Sequence, residues 1–205
     1  MLQIIKVFLS KVYNLKINFF LIWNKLKFQL AGIQYGKNLK VYTKVFLNIG
    51  NNAQIKIGDN FVFTSGDCIN PLCRNIRGCI VTYPNASIYI GNNVGMSSPC
   101  IWAHSSITIS NNVNIGGDCI LMDSDAHSLN YMDRRDPTMD RANKKNSPII
   151  VEDDVLIGTR CIILKGVRIG ARSVIGSGSV VTKSIPANCI AAGNPCKVIR
   201  YLNEK

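Results

Sequence analysis

The feature that most constrains the fold is a repeat of six residues in the C-terminal part of the chain. From position 151 the sequence reads in consecutive hexads, each opening with an aliphatic residue: Val151, Ile157, Ile163, Ile169, Ile175 and Val181. Neither an α-helix, with its period of about 3.6, nor a half-buried strand, with its period of about 2, explains a strict period of six. The period fits a solenoid in which three short strands make one coil. Stacked coils bury an aliphatic column that no single coil could bury alone.

The same phase returns further upstream. Ile90, Met96 and Trp102 are six residues apart, and after one inserted residue the series continues with Ile109, Ile115 and Leu121. Ile57 and Phe63 indicate an earlier and less regular coil. The sequence therefore predicts an all-β solenoid domain over residues 45–200, with a short C-terminal tail at 201–205.

The basic charge of the chain is concentrated at one end. Lys and Arg together number 24 against 12 Asp and Glu, and nine lysines precede Asp59, the first acidic residue. The rest of the chain carries 15 bases and 12 acids, so it is nearly neutral. This distribution argues against nucleic-acid binding and indicates an anionic surface or partner for the N-terminal end.

Residues 1–44 form the predicted N-terminal arm. Its longest uncharged apolar stretch, 17–24, is too short for a membrane span, which needs about 20 residues. Lysines recur through the apolar region and no small-residue cleavage site follows, so no signal peptide is expected. At about 100° per residue the polar and apolar side chains separate into two arcs, which Lys16 and Lys27 interrupt. A basic amphipathic helical arm is predicted, as one helix or two.

Two occupants for the apolar arc of the arm remain open. It could pack on its own protein or a neighbouring subunit, or lie on an anionic membrane with its lysines at the polar edge. We expect a cytoplasmic protein, and in the second case one held peripherally at the inner face of the membrane.

The end of the repeat carries the most specific resemblance. The segment 175–200, which includes Ala-Gly-Asn-Pro-Cys-Lys, resembles the terminal coil of the hexapeptide-repeat acetyltransferases, in particular the galactoside, maltose and polysaccharide O-acetyltransferase branch. The resemblance implies a left-handed parallel β-helix, a homotrimer, and acetyl-CoA bound along the C-terminal coils between subunits. The cofactor-binding positions that it implies here are Thr159, Ser177, Thr182, Lys183, Lys197 and Arg200.

One long interruption of the hexads marks a candidate catalytic segment. Leu121 and Val151 are separated by an extruded loop at about 123–148, and long excursions from a repeat usually lie on the functional face. Acetyl transfer to a hydroxyl needs a base, and histidine titrates in the right range. In the family that the chain resembles, a histidine near the start of this loop is the general base, and His127 matches it. Asp125 and Asp123 precede it as candidate catalytic partners, whereas the loop tip is expected to be a solvated cap or a subunit contact.

The second histidine, His104, follows Trp102 in the preceding coil. Both are candidates for contacting the acceptor, although a hydrogen-bonded structural histidine is the simpler reading of His104. Two histidines are too few for a three-histidine zinc centre, and no metal is expected. The eight cysteines contain no CxxC pair, so they are predicted to be reduced, buried and poor nucleophiles.

The resemblance implies direct transfer of an acetyl group from acetyl-CoA to a hydroxyl of a sugar or polysaccharide precursor. Two alternatives stay open at this point. The acceptor could be the amine of an amino sugar or an antibiotic-type molecule, or the solenoid could be a non-catalytic scaffold. Fold alone does not choose between them.

Overall fold

The computed structural model describes residues 2–66 and 69–202. An N-terminal helix α1 (Leu2–Leu30) precedes the strands, and a short helix α2 (Pro137–Asn143) lies between two of them. Two 3₁₀ turns are formed by Pro71–Cys73 and Asp133–Arg135. The helix expected near the N-terminus is therefore present, as one continuous helix.

The strands follow one another in coils of three. In chain order they are β1 (Gln34–Tyr35), β2 (Lys40–Val41), β3 (Phe46–Ile49), β4 (Gln54–Ile57), β5 (Val62–Thr64), β6 (Cys79–Thr82), β7 (Ser87–Ile90), β8 (Gly95–Ser97), β9 (Cys100–Ala103), β10 (Ser106–Ile109), β11 (Asn114–Ile115), β12 (Ile120–Met122), β13 (Ile149–Val151), β14 (Leu156–Ile157), β15 (Ile162–Leu164), β16 (Arg168–Ile169), β17 (Val174–Ile175), β18 (Val180–Val181), β19 (Cys189–Gly193) and β20 (Cys196–Tyr201). The first coil begins at Gln34, inside the segment that the sequence analysis assigned to the arm.

Every third strand joins the same sheet. The first sheet has the order β1-β4-β7-β10-β13-β16, the second β2-β5-β8-β11-β14-β17-β19-β20, and the third β18-β15-β12-β9-β6-β3. Neighbours within these sheets are parallel, except that β20 folds back antiparallel on β19. This is the three-strand coil that the hexads predict.

The aliphatic column predicted from the hexads fills the interior. The six residues that open the C-terminal hexads, from Val151 to Val181, are fully buried. One upstream assignment is wrong, because Ile101 and not Trp102 lies in the column. Ile101 is buried and pairs in register with Leu121, whereas Trp102 points outward and is half-exposed. The chain between Met96 and Ile101 is one residue shorter than a hexad, so the six-residue count overshoots.

Asparagine and aspartate side chains form a ladder along one corner of the coils. Each adopts a left-handed backbone with φ between 57° and 60°, a conformation that these residue types tolerate. Their side chains bond from coil to coil at 2.8–3.1 Å in the series Asn38, Asn60, Asn93, Asn112 and Asp154. The ladder thus satisfies the polar groups that the sharp turns expose.

Helix α1 touches the coils only near its C-terminal end. Asn24 and Phe28 are buried there, and the Asn24 amide donates to the carbonyls of Val41 and Thr43 at 2.8 and 2.7 Å. Residues 2–16 are all exposed. Among the described residues no helix has both the length and the apolar content to cross a bilayer.

The cysteines of the described segments are all free thiols. Five of them are buried, as predicted, whereas Cys79 and Cys100 are half-buried on the outer face of the third sheet. Cys68 lies outside the described residues.

Candidate active site

The candidate active site is built by residues 123–148, which connect β12 to β13. Helix α2 in this connection begins at a defined point, because the Asp136 carboxylate accepts hydrogen bonds from the Thr138 and Met139 amides at 2.7 and 3.1 Å. Pro137 occupies the first turn, where its missing N–H has no consequence. The local sequence therefore fixes where the helix starts and which side chains it presents.

His127 is held by a carboxylate of α2. Its Nδ1 lies 2.6 Å from Oδ2 of Asp140, and the other Asp140 oxygen accepts the Ser128 amide at 2.7 Å. Hydrogen bonds from the His127 ring and the Ser128 amide hold the pKa of Asp140 below its ordinary value. The carboxylate is 14% exposed and the His127 side chain 68% exposed. Since Nδ1 donates to Asp140, Nε2 is the nitrogen that can accept a proton from a substrate.

The two aspartates that precede His127 have other contacts. Asp123 is fully buried, and its two oxygens accept the main-chain amides of His104 and Ser105 at 2.6 and 2.7 Å. Burial raises the pKa of Asp123, and these amide bonds act in the opposite direction. Asp125 lies 3.5 Å from the Lys165 ammonium. Asp140, thirteen positions after His127, is the carboxylate that contacts the ring.

His104 lies in an aromatic cluster on the preceding coils. Its ring stacks on Tyr83 with centroids 3.6 Å apart and meets Trp102 edge-on at 4.7 Å. The Lys144 ammonium is 3.0 Å from His104 Nδ1 and 4.7 Å from the centroid of the Tyr83 ring. Burial, and then the Lys144 charge, lower the pKa of His104 to about 4. At neutral pH the ring is uncharged, accepts from Lys144 at Nδ1 and carries its proton on the buried Nε2, which has no partner among the described residues.

Helix α2 connects the two histidines. Asp140, which holds His127, lies in α2, and Lys144, which contacts His104, is the extended residue that directly follows the helix. Sequence reasoning missed both partners.

Two of the six expected cofactor positions line one groove. Thr159 and Ser177 lie at stacked corners after β14 and β17, in a groove of about 470 Å³ that Pro71, Leu72, Arg74, Arg160 and Gly178 complete. Arg74 and Arg160 were not predicted. Arg74 comes from the irregular connection between β5 and β6, outside the regular repeat.

The other four expected positions are exposed and lie elsewhere. Thr182 and Lys183 follow β18, at the opposite end of that strand from Ser177, whereas Lys197 and Arg200 lie on the outer strand β20. Lys197 is paired in register with Ala192, close to the corner that carries Ser177. The expected set is thus divided: the corner before the third sheet carries Thr159, Ser177 and, close by, Lys197, and the corner after it carries Thr182 and Lys183. Arg200 pairs with Ile190, nearer the start of the second-sheet strands. In the described part of the chain no cluster of three metal-ligating side chains occurs.

Comparisons with known proteins agree with this architecture. Residues 148–183 match a protein family described as hexapeptide repeat of succinyl-transferase. A solved hexapeptide-repeat acetyltransferase of Vibrio cholerae O1 biovar eltor, complexed with acetyl-CoA, is 26% identical with a TM-score of 0.53, over 78% of this chain and 73% of that one. The comparisons support the hexapeptide-repeat acetyltransferase family. With such neighbours, the three parallel sheets fit a left-handed β-helix.

Two further proteins that the chain resembles are acetyltransferases named for different acceptors. A segment of 58 residues is 50% identical to 2,3,4,5-tetrahydropyridine-2,6-dicarboxylate N-acetyltransferase of Staphylococcus aureus (strain Newman), covering 28% of this chain and 24% of the relative. The chain thus matches about a quarter of that relative's length. The structure of the polySia specific acetyltransferase NeuO is 25% identical with a TM-score of 0.52, over 84% and 83% of the two chains. The expected galactoside, maltose and polysaccharide branch is therefore matched only in part.

Proposed function

We propose that this protein transfers the acetyl group of acetyl-CoA to a hydroxyl of a sugar or polysaccharide precursor. The observation that carries the proposal is the His127–Asp140 contact of 2.6 Å beside an exposed imidazole. A carboxylate on Nδ1 fixes the tautomer with Nε2 free of a proton and stabilises the imidazolium that forms when Nε2 accepts one. Likeness to an acetyltransferase solved with acetyl-CoA supports the same donor here.

In the proposed reaction the acceptor attacks the thioester directly. Nε2 of His127 removes the hydroxyl proton while the oxygen forms a bond to the acetyl carbon. The carbon–sulfur bond then breaks, and the thiolate of CoA takes the proton from the imidazolium. A positioned base of this kind contributes about 10²-fold to 10⁴-fold in rate. The five buried cysteines take no part in the proposed step, since they are not accessible to substrate.

For the donor we propose a path along the third sheet, between the groove at Thr159 and Ser177 and the corner at Lys183. Small polar side chains would let the pantetheine arm approach the main chain. Lys183, Lys197 and Arg200 are exposed cations suited to phosphate oxygens. We also propose that the protein is a homotrimer in which a neighbouring subunit closes this path.

A nitrogen acceptor is the second candidate. The 50% identity to an N-acetyltransferase over 58 residues favours it, and a neutral His127 could remove a proton from an attacking amine equally well. The two chemistries leave different products, an ester or an amide.

The product of the reaction tests both candidates. The full-length protein is incubated with acetyl-CoA and either an alkyl galactoside or the matched amino sugar. The masses of the products are then measured by mass spectrometry before and after treatment with hydroxylamine. Acetylation of the galactoside that hydroxylamine removes is the expected result. Hydroxylamine-resistant acetylation of the amino sugar alone would establish the amine acceptor. If the acetyl-CoA concentration were the same with either acceptor as without one, the result would indicate the non-catalytic scaffold.

A further inference from the structure

The apolar face of α1 points away from the protein's own coils. Side chains that contact the body, such as Asn24 and Phe28, lie on the polar arc of the helix. The opposite arc carries large apolar side chains that are 46–78% exposed: Ile4, Ile5, Phe8, Val12, Leu15, Phe19, Ile22, Trp23, Leu26 and Leu30. The chain's own described coils therefore leave this face uncovered, so a neighbouring subunit and an anionic membrane are the occupants to be compared.

Lysines border the apolar arc on both sides. At about 100° per residue, Lys11 and Lys25 fall at one edge and Lys16 at the other. Lys27 lies on the same side as Lys16, but its ammonium donates to the Val45 carbonyl of the coils at 2.6 Å. Helix α1 contains five lysines and no acidic residue. Long lysine stems lie along apolar surface while their ammonium groups reach toward water or phosphate. The arrangement is that of a helix lying in the plane of a lipid interface.

A cavity at the root of the helix extends this basic surface. It has a volume of about 330 Å³ and lies between α1 and the first coils. Three cations line it, Lys16, Lys44 and Arg77, together with the polar side chains of Thr43, Ser65 and Asn75. None of the described residues that line it is acidic. Anionic oxygens would therefore meet three cations at the point where the helix joins the body.

We propose that α1 and this cavity dock on a bilayer that contains anionic lipids. Charge selects this occupant over a second copy of the chain. If the helices of two copies packed together, the five lysines of one would repel the five of the other. The rest of the chain, beyond residue 58, has no net negative charge that could offset this repulsion. Phospholipid headgroups supply both the acyl surface for the apolar arc and the negative charge for its borders. Docking of this kind places the coils beside the membrane without a spanning helix.

Vesicle flotation of the full-length protein tests the proposal. Vesicles of equal parts phosphatidylcholine and phosphatidylglycerol should carry the protein, pure phosphatidylcholine vesicles should carry much less, and raised salt should release the bound protein. Each lysine near the surface contributes on the order of fivefold, so the double substitution Lys11→Gln and Lys25→Gln should lower binding by about 30-fold. The matched control, Lys37→Gln with Lys56→Gln, removes the same charge from the exposed coil surface and should leave binding unchanged.

The depth of α1 gives a second readout. The chain has two tryptophans, so a Trp102→Phe variant reports Trp23 alone. Lipids brominated on the acyl chains should quench its fluorescence. Equal binding to both vesicle types, an equal effect of the two lysine pairs, or unquenched Trp23 would overturn the proposal. So would dissociation of the oligomer on Phe8→Ser with Phe19→Ser, measured by light scattering, because it would assign the apolar arc to a subunit contact.

Discussion

At the scale of single residues, the proposed chemistry distinguishes two histidines that lie in opposite environments. His127 is exposed and held by a charged carboxylate, whereas His104 is buried between aromatic rings and beside an ammonium. Only the first arrangement stabilises a protonated ring. His127 is therefore the proposed base, and His104 acts as a neutral hydrogen-bond acceptor that positions Lys144.

The lowered pKa of His104 makes stability depend on pH. An unfolded histidine titrates near 6.5 and folded His104 near 4, so between these values the unfolded chain binds more protons. The stability that depends on a neutral ring is fully present above about pH 6.5 and is lost as the pH falls toward about 4. Lys144 contacts the His104 ring and Asp123 accepts the His104 amide. Both residues are present in wild type and in the His104→Gln variant, so the two proteins differ only in the titrating ring. Thermal unfolding should show wild type losing more stability over this range than His104→Gln; parallel losses would contradict the assignment.

The interruption of the repeat and the family resemblance together pointed to His127 as the base, but not to Asp140 as its partner. The histidine was found because it opens an interruption of a strict repeat. Asp140 follows it by thirteen positions in a connection without any repeat, and nothing in the spacing distinguished it from Asp123 and Asp125. Its role depends on α2 turning back toward His127, which is a tertiary event.

At the scale of the strands, the hexad determines which side chains enter the core. Ile157 is fully buried in β14, while its neighbour Leu156 is 47% exposed on the outer face. Ile157→Ala should lower the free energy of unfolding by about 2–5 kcal/mol, since it leaves a cavity in the column. Leu156→Ala removes the same number of atoms and should cost under about 1 kcal/mol. Chemical denaturation of both variants makes the comparison, and equal losses would mean that the column does not depend on the hexad phase.

The repeat predicted the sheets where it is strict and failed where it is irregular. A strict period of six allows one way to stack the coils. The burial of the six residues that open the C-terminal hexads could therefore be predicted from their spacing. Trp102 was misplaced by one residue because the step from Met96 to Ile101 has five residues and the step from Ile101 to Ile109 has eight, so a count of six passes Ile101. The first coil was missed although Ile33, Leu39 and Val45 are six residues apart and buried, because β1 and β2 are only two residues each and directly follow the arm.

At the scale of the whole molecule, the proposed donor path depends on exposed cations of the C-terminal coils. Replacing Lys183 and Arg200 by Ala should weaken acetyl-CoA binding by about fivefold to tenfold and make the remaining binding less sensitive to salt. The same change at Lys40 and Lys56 removes two cations from the N-terminal coils and serves as the control. Calorimetry measures the affinity of both double variants for acetyl-CoA. Unchanged affinity in the first variant would move the phosphates to another surface, such as the Arg74 and Arg160 side of the groove.

The proposed account places a donor path, a base and a basic apolar arm in one chain. In the proposed trimer, three arms would project from the same end of the coils. Light scattering should give three times the chain mass of 22.6 kDa. Such an assembly would hold the proposed sites near a lipid surface, where polymer precursors with lipid carriers could reach them.

The most direct test of the central claim is the acceptor-dependent release of CoA thiol from acetyl-CoA, measured for wild type and for His127→Ala. The account predicts release that requires the sugar acceptor and falls by about 10²-fold to 10⁴-fold in the variant, with the fold retained. Asp140→Asn should lie between the two, whereas Asp154→Asn, which preserves the corner ladder, should match wild type. Release at the wild-type rate by His127→Ala would contradict the account.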